Sequence, residues 1–177
     1  MGFMDKLFGK KTEAPAPAAP APSAAKVDTM VCAPFKGTAM PLDKIDDPVF
    51  SQGVLGPGCG MEPADETVCA PFDGTISQVT DTKHAIGITS TGGAEVLIHV
   101  GMDTVEMEGD GFECLVKMGQ SVKKGDALMT FSIEKIKAAG HPATTAIVVT
   151  NADEFAAVEL VAEGAVEQGA DILTVKA

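Results

Sequence analysis

Apolar and polar residues alternate in short stretches along most of this chain, and Gly, Pro or Asn punctuates almost every stretch. That spacing predicts an all-β domain, an antiparallel β-sandwich or barrel with few short helices. The clearest segment is Thr80 to Val105, TDTKHAIGITSTGGAEVLIHVGMDTV. Two apolar-rich strands flank Gly92-Gly93, a favoured centre for a two-residue hairpin turn. With those glycines central, Ile86 pairs with His99 and His84 with Gly101. One face then carries His84, Ile86, Ile88, Leu97, His99 and Gly101. The other, expected to face the core, carries Ala85, Gly87, Thr89, Val96, Ile98 and Val100. His84 and His99 become diagonal neighbours with Cα atoms about 7–8 Å apart. Helical signals are confined to Ser132–Ala139 and to Asn151–Ala157, where Asn151 precedes Glu154 by three residues as an N-cap would.

The pattern also repeats. Val31-Cys-Ala-Pro-Phe-Lys-Gly-Thr38 returns as Val68-Cys-Ala-Pro-Phe-Asp-Gly-Thr75, and Val122-Lys-Lys-Gly125 returns as Val166-Glu-Gln-Gly169. Each unit reads as a strand, a Pro-Gly turn and a second strand, so the domain from residue 26 to 177 carries internal duplication. The beginning of the chain differs. Residues 1–11 (MGFMDKLFGKK) place Phe3, Met4, Leu7 and Phe8 at helical spacing among Lys6, Lys10 and Lys11. An amphipathic, basic leader of this kind can lie on an anionic membrane surface. Residues 12–25 (TEAPAPAAPAPSAA) form an extended Pro/Ala linker.

Composition narrows the function. A net charge of −12 argues against nucleic acid as a partner. Four cysteines without a secretory segment point to a reducing, cytoplasmic setting, with contact to the inner membrane face only through the leader. No Cys-x-x-Cys spacing offers a zinc site. The three histidines carry the candidate chemistry. His141 lies in a Gly-His-Pro loop and reads as structural. His84 and His99 sit together in an apolar patch, which fits chemistry performed while docked to another protein, with water excluded. From geometry alone, two unrelated strand-end histidines account for the pattern as well.

His84-Ala-Ile86, Glu95-Val-Leu-Ile-His99-Val-Gly-Met-Asp103-Thr-Val105 and Gly109-Asp-Gly-Phe112 resemble the glucose-type enzyme IIA of the bacterial phosphoenolpyruvate-dependent sugar phosphotransferase system. Gly119-Gln-Ser-Val122-Lys-Lys-Gly125-Asp126, Val148-Val-Thr-Asn151 and Asp47-Pro-Val-Phe50 continue the resemblance, which covers roughly residues 27–175. It implies a duplicated hybrid motif, a β-sandwich that accounts for the repeats. It also implies that His99 accepts a phosphoryl group from the phosphocarrier HPr and passes it to the IIB component of a sugar permease. His84 would stabilise that group and Thr82 would orient His84. Asp47 and Asp103 would meet partner arginines, with Phe50, Ile86, Ile88, Leu97 and Val105 as the apolar partner-facing rim. Lys83, Ile86 and Ala146 depart from residues common in that family. No cofactor is implied.

Two other readings stay open from the residues: a regulatory binding protein controlled by phosphorylation, and a zinc-binding protein using His84 and His99 with a carboxylate. Repeats of this type also resemble biotinyl and lipoyl carrier domains, but those need a modified lysine where this hairpin holds Gly92-Gly93.

Overall fold

The computed structural model describes residues 26–177; the leader at 1–11 and the linker at 12–25 lie outside the described residues. The strands are β1 (Thr29–Cys32), β2 (Gly37–Pro41), β3 (Gly58–Pro63), β4 (Thr67–Cys69), β5 (Gly74–Val79), β6 (Ala85–Ser90) and β7 (Glu95–His99). They continue with β8 (Phe112–Cys114), β9 (Ser121–Val122), β10 (Ala127–Phe131), β11 (Thr145–Val149), β12 (Ala157–Leu160), β13 (Gly164–Val166) and β14 (Asp171–Lys176). Two short helices interrupt them, α1 (Pro48–Ser51) and α2 (Ile133–Ala138). The all-β expectation holds.

Three antiparallel sheets enclose one apolar core. The large sheet runs β13-β2-β3-β11-β7-β6-β5-β9, and the small ones run β1-β14-β12 and β4-β10-β8. These orders describe a duplication. Exchanging β1, β2, β3, β11, β12, β13 and β14 for β4, β5, β6, β7, β8, β9 and β10 swaps the small sheets and reverses the large one. The second half is contiguous and sits inside the first. The pseudo-two-fold axis therefore passes between β7 and β11, which pair from Ala146–His99 to Val149–Val96.

Where the two Cys-Ala-Pro-Phe repeats cross, the pairing is reciprocal: Cys32 N–H donates to Pro71 (3.1 Å) and Cys69 N–H to Pro34 (2.8 Å). Two such bonds bracket a non-hydrogen-bonded pair, Ala33 and Ala70, whose Cα atoms in that geometry lie about 4.5 Å apart. Both alanines are fully buried. Both side chains project into the packed core, so larger ones there would have to displace their neighbours.

Local signals were read well at α2 and badly at Asn151. Ser132 caps α2 by accepting the Lys135 N–H. Asn151 caps nothing, and only a single turn of 3-10 helix follows, at Ala152–Glu154. Its amide is spent on the β6–β7 hairpin instead, where Oδ1 accepts the Glu95 N–H and Nδ2 donates to the Gly93 carbonyl, both at 2.9 Å.

The hairpin itself corrects the expected register. Ser90 N–H donates to Ala94 and Gly93 N–H to Ser90, leaving three loop residues, Thr91 to Gly93, rather than two. Gly93 has φ +94°, the left-handed residue that closes a three-residue loop. The extra residue shifts every pair by one, so Ala85 faces His99 and Ile86 faces Ile98. Ile86 (1% exposed) and Ile88 (0%) consequently enter the core beside Val96, Ile98 and Val100. They are not partner-facing, contrary to expectation; a one-residue slip moves a strand's whole side-chain set to the other face. Leu97 and His99 keep the outer face.

Ala33→Leu or Ala70→Leu is expected to cost about 1–3 kcal/mol by overpacking the crossing. Urea unfolding should show a lower midpoint with an unchanged m-value.

Candidate functional site

The outer face of the large sheet carries a second, smaller apolar cluster: Ile45, Phe50, Met102, Ala146 and Val148, with Leu42 and Leu97 packed against it. The residues between β2 and β3 cover this face. Asp47 starts α1, its Oδ1 accepting the Val49 N–H at 2.9 Å, and Pro48 occupies the first helical position, where it gives up no needed donor. The short helix lays buried Phe50 on the His99 ring, with centroids 4.9 Å apart at 55°.

His84 reaches His99 although the two residues are not on one pleat face. Lys83, just before β6, has φ +61°. His84 follows at the strand end, where its carbonyl accepts the Val100 N–H at 2.8 Å. The two imidazoles meet edge to face with centroids 4.7 Å apart, at 79°. The pairing is therefore present, but the kinked approach to β6 makes it, not the strand alternation. His84 is only 6% exposed, while His99 is half-buried.

Each ring is held by its Nδ1. His99 Nδ1 lies 2.9 Å from the Gly101 carbonyl oxygen, which can only accept. The proton is therefore on Nδ1, and Nε2 carries the free lone pair. His84 Nδ1 lies 2.6 Å from the Thr82 hydroxyl. Burial, and secondarily the neighbouring His99 ring, lowers the His84 pKa to about 4. Burial also lowers that of His99, against the opposing pull of the Gly101 carbonyl and the Asp47 and Asp103 carboxylates. Both rings are neutral at pH 7.

A depression of about 230 Å³ gathers Asp47, Val49, Phe50, Leu55, His84, His99, Asp103 and Val105. Val105 is 51% exposed, and Val49 and Leu55 are exposed beside it. The site thus has neutral nitrogens at its floor, apolar side chains around them and carboxylates at the margin. Of the residues singled out in the sequence, His99, His84, Asp47, Phe50, Asp103 and Val105 converge here. Thr82 supports His84 and Leu97 packs beneath the cover, while Ile86 and Ile88 are absent. Val49, Leu55 and the Gly101 carbonyl were missed. The Asp-Pro helix start at 47–48 was the available signal for the first two. The carbonyl has no sequence signal beyond the glycine itself.

A family model described as phosphoenolpyruvate-dependent sugar phosphotransferase system, EIIA 1, matches residues 29–155. The chain belongs to this EIIA family. It is accordingly a phosphotransferase component, a carrier of phosphoryl groups within that system. Its relatives include the glucose-specific EIIA component of Halalkalibacterium halodurans, 40% identical over 154 residues, which span 87% of this chain and 86% of that protein. The glucose-specific EIIA component of Staphylococcus aureus (strain COL) is 37% identical over 164 residues, 93% of this chain and 92% of the relative. A beta-glucoside-specific EIIBCA component of Bacillus subtilis is 43% identical over 126 residues, 71% of this chain, which thus spans only 21% of that longer protein. Among solved structures, glucose permease IIA from Mycoplasma capricolum superposes with a TM-score of 0.77 at 34% identity, covering 83% of this chain and 95% of that one.

The depressed His84 value has a consequence for pH. The unfolded chain protonates this ring near 6.5 and the folded one near 4. Between those values the unfolded state binds more protons, so the contribution of this ring to stability is complete above about pH 6.5 and is lost as the pH falls toward 4. Heteronuclear NMR of the His84 ring should show no protonation between pH 8 and about 5. A ring that titrates in its ordinary range would show that the site is wetter than described.

Proposed function

We propose that the phosphoryl group is carried on Nε2 of His99, received from HPr and passed to the IIB component of a sugar permease. The observation that supports this most directly is the Nδ1–H bond from His99 to Gly101. It leaves Nε2 as the unprotonated nitrogen of a ring that lines the depression beside exposed apolar side chains. In acceptance, the lone pair of Nε2 attacks phosphorus as the bond from phosphorus to the HPr imidazole breaks. The bond electrons return to the HPr ring, and no proton need leave His99. The positive character gained by the phosphorylated ring is shared with the Gly101 carbonyl.

Phosphoryl transfer of this type depends on positioning and on stabilising the equatorial oxygens. His84 serves that purpose when the Thr82 hydroxyl donates to its Nδ1, because the ring then keeps its proton on Nε2 as a donor to those oxygens. Asp47 and Asp103 face partner arginines at the margin, and Phe50, Leu97 and Val105, joined by Val49 and Leu55, exclude water from the docked site. Neutral floor and acidic rim divide the work: the rim attracts a basic partner, while the floor does not repel the incoming phosphoryl group. Among the described residues no group of three or more His, Cys, Asp or Glu side chains is disposed to hold a metal ion, so the zinc reading gains no support.

The domain at 26–177 is read as the carrier, with residues 1–11 as a weak membrane contact and 12–25 as its tether. Lys26 supports this arrangement. It pairs with Glu154 and lies over Phe155 (5.4 Å to the ring centroid), beside the Gly93 end of the hairpin. His99 is at the opposite end of β7. Lys26, the first described residue, thus lies away from the docking face. No helix among the described residues is long and apolar enough to cross a membrane.

His99→Ala should accept no phosphate from HPr while remaining folded; acid-labile phosphate found on His84 or His141 of that variant would refute the assignment. His84→Gln retains an N–H donor. It should still accept from HPr but deliver to IIB more slowly, by about 10²–10³-fold as for other lost transition-state donors. Onward transfer at the unaltered rate would make His84 a bystander. Deleting residues 1–11 should leave acceptance from HPr unchanged and reduce co-sedimentation with anionic vesicles. Equal sedimentation of both forms would remove the membrane role.

A further inference from the structure

The carbonyl that sets the His99 tautomer belongs to a residue in an unusual conformation. Gly101 has φ +75°, and a Cβ there would lie 2.5 Å from Thr104 Cγ2 and 3.1 Å from the Pro142 carbonyl oxygen. Asp103, two residues on, is also left-handed, at φ +60°. A left-handed non-glycine residue is strained and persists only where its surroundings fix it. Here the surroundings are few and specific. The Met102 N–H donates to Pro142 at 3.0 Å, tying one side. On the other, the Thr104 hydroxyl reaches back and donates to the Val100 carbonyl at 2.6 Å, while its methyl lies against Gly101. Thr104 is fully buried, one of few polar side chains that are.

The backbone between His99 and Thr104 is thus a closed loop. Its first member donates to the carbonyl of the third, and its last donates to the carbonyl of the second. Val100 and Gly101 are consecutive; the Val100 carbonyl accepts from the Thr104 hydroxyl and the Gly101 carbonyl accepts from His99 Nδ1–H. The peptide after Gly101 is tied by its own Met102 N–H to Pro142, and the peptide before it by Thr104 on the Val100 carbonyl, so losing the Thr104 bond frees the Gly101 backbone on one side and lets its carbonyl swing off His99 Nδ1. We infer that Thr104 is a positioning residue for phosphoryl transfer, holding the Gly101 carbonyl on His99 Nδ1 and so keeping Nε2 as the nucleophile. Its effect on transfer rests on His99 being the acceptor, whereas its effect on the ring does not.

The hydroxyl and the methyl can be separated. Thr104→Val preserves the shape against Gly101 but orphans the Val100 carbonyl. Thr104→Ser keeps the hydroxyl and opens space at Gly101. The tautomer of His99 is read by heteronuclear NMR of the imidazole nitrogens in the full-length, unphosphorylated protein, and acceptance is timed with phosphorylated HPr. In the parent protein the proton should be on Nδ1. Thr104→Val should give a mixture of tautomers and slow acceptance by up to about 10²-fold, the scale of a small misplacement of a reacting group. Thr104→Ser should restore the parent tautomer and most of the rate. A merely structural role would lower the unfolding midpoint of both variants and leave the tautomer alone. A parent-like tautomer in Thr104→Val overturns the inference even if transfer slows. Because the ring measurement uses no phosphoryl donor, it decides the point separately from the acceptor assignment, which would instead fail if phosphate mapped to a residue other than His99.

Discussion

The register between β6 and β7 governs the whole site, and it is set far from the chemistry. Three loop residues at Thr91–Gly93 close the hairpin, with Gly93 left-handed and the β7 side of the turn tied to Asn151. With that register Ile86, Ile88, Val96 and Ile98 supply the core, and Leu97 and His99 are left on the outer face. With a loop one residue shorter, the same isoleucines would face water beside His99 while Val96 and Ile98 stayed in the core. Burial of Ile86 and Ile88, each favouring its buried state by about 1.5–3 kcal/mol, is what makes the alternative untenable. His99 keeps the outer face because Ile98 and Val100 on either side of it are buried.

Duplication explains the frame, and a departure from duplication explains the function. The halves match strand for strand, down to the reciprocal bonds between Cys32 and Pro71 and between Cys69 and Pro34. The connections following β2 and β5 do not match. Residues 80–84 join β5 to β6 by a tight turn, whereas residues 42–57 join β2 to β3 and include α1. The long connection lies over the outer face at β7 and β11, bringing Phe50 and Asp47 to His99. The tight turn, with Lys83 left-handed, swings His84 in from the other side. One half of the duplicated frame therefore supplies the histidines and the other supplies their cover.

Much of this was legible from residue order. Alternation gave the strands, the repeated Ala-Pro-Phe-x-Gly units announced the duplication, and the match around both histidines pointed to the family. The failures share a cause. Asn151 looked like a helix cap because Glu154 stands three residues later, but a side-chain amide serves whichever backbone groups tertiary structure leaves unpaired, and here those belong to Gly93 and Glu95. Ile86 and Ile88 were placed on the wrong face because Gly-Gly fits a two-residue turn as well as the end of a three-residue one. Long-range hydrogen bonds decided the first case and core burial the second. Sequence spacing does not record them.

The two histidines differ less in kind than in what holds them. Both are neutral imidazoles in low-dielectric surroundings, and each is tied through Nδ1. A carbonyl can only accept, so His99 must keep its proton on Nδ1 and present a bare Nε2. A hydroxyl can donate, so His84 is free to keep its proton on Nε2. Opposite polarities at the two Nε2 atoms, one bare and one free to carry a proton, follow from a backbone oxygen in one case and a threonine in the other. Neither polarity requires a charge, and neutrality matters here. A protonated His99 could not attack, and two charged rings with centroids 4.7 Å apart would repel each other. The low pKa values are therefore not incidental to burial. They let the chain place a donor next to a nucleophile without the donor surrendering its proton to it.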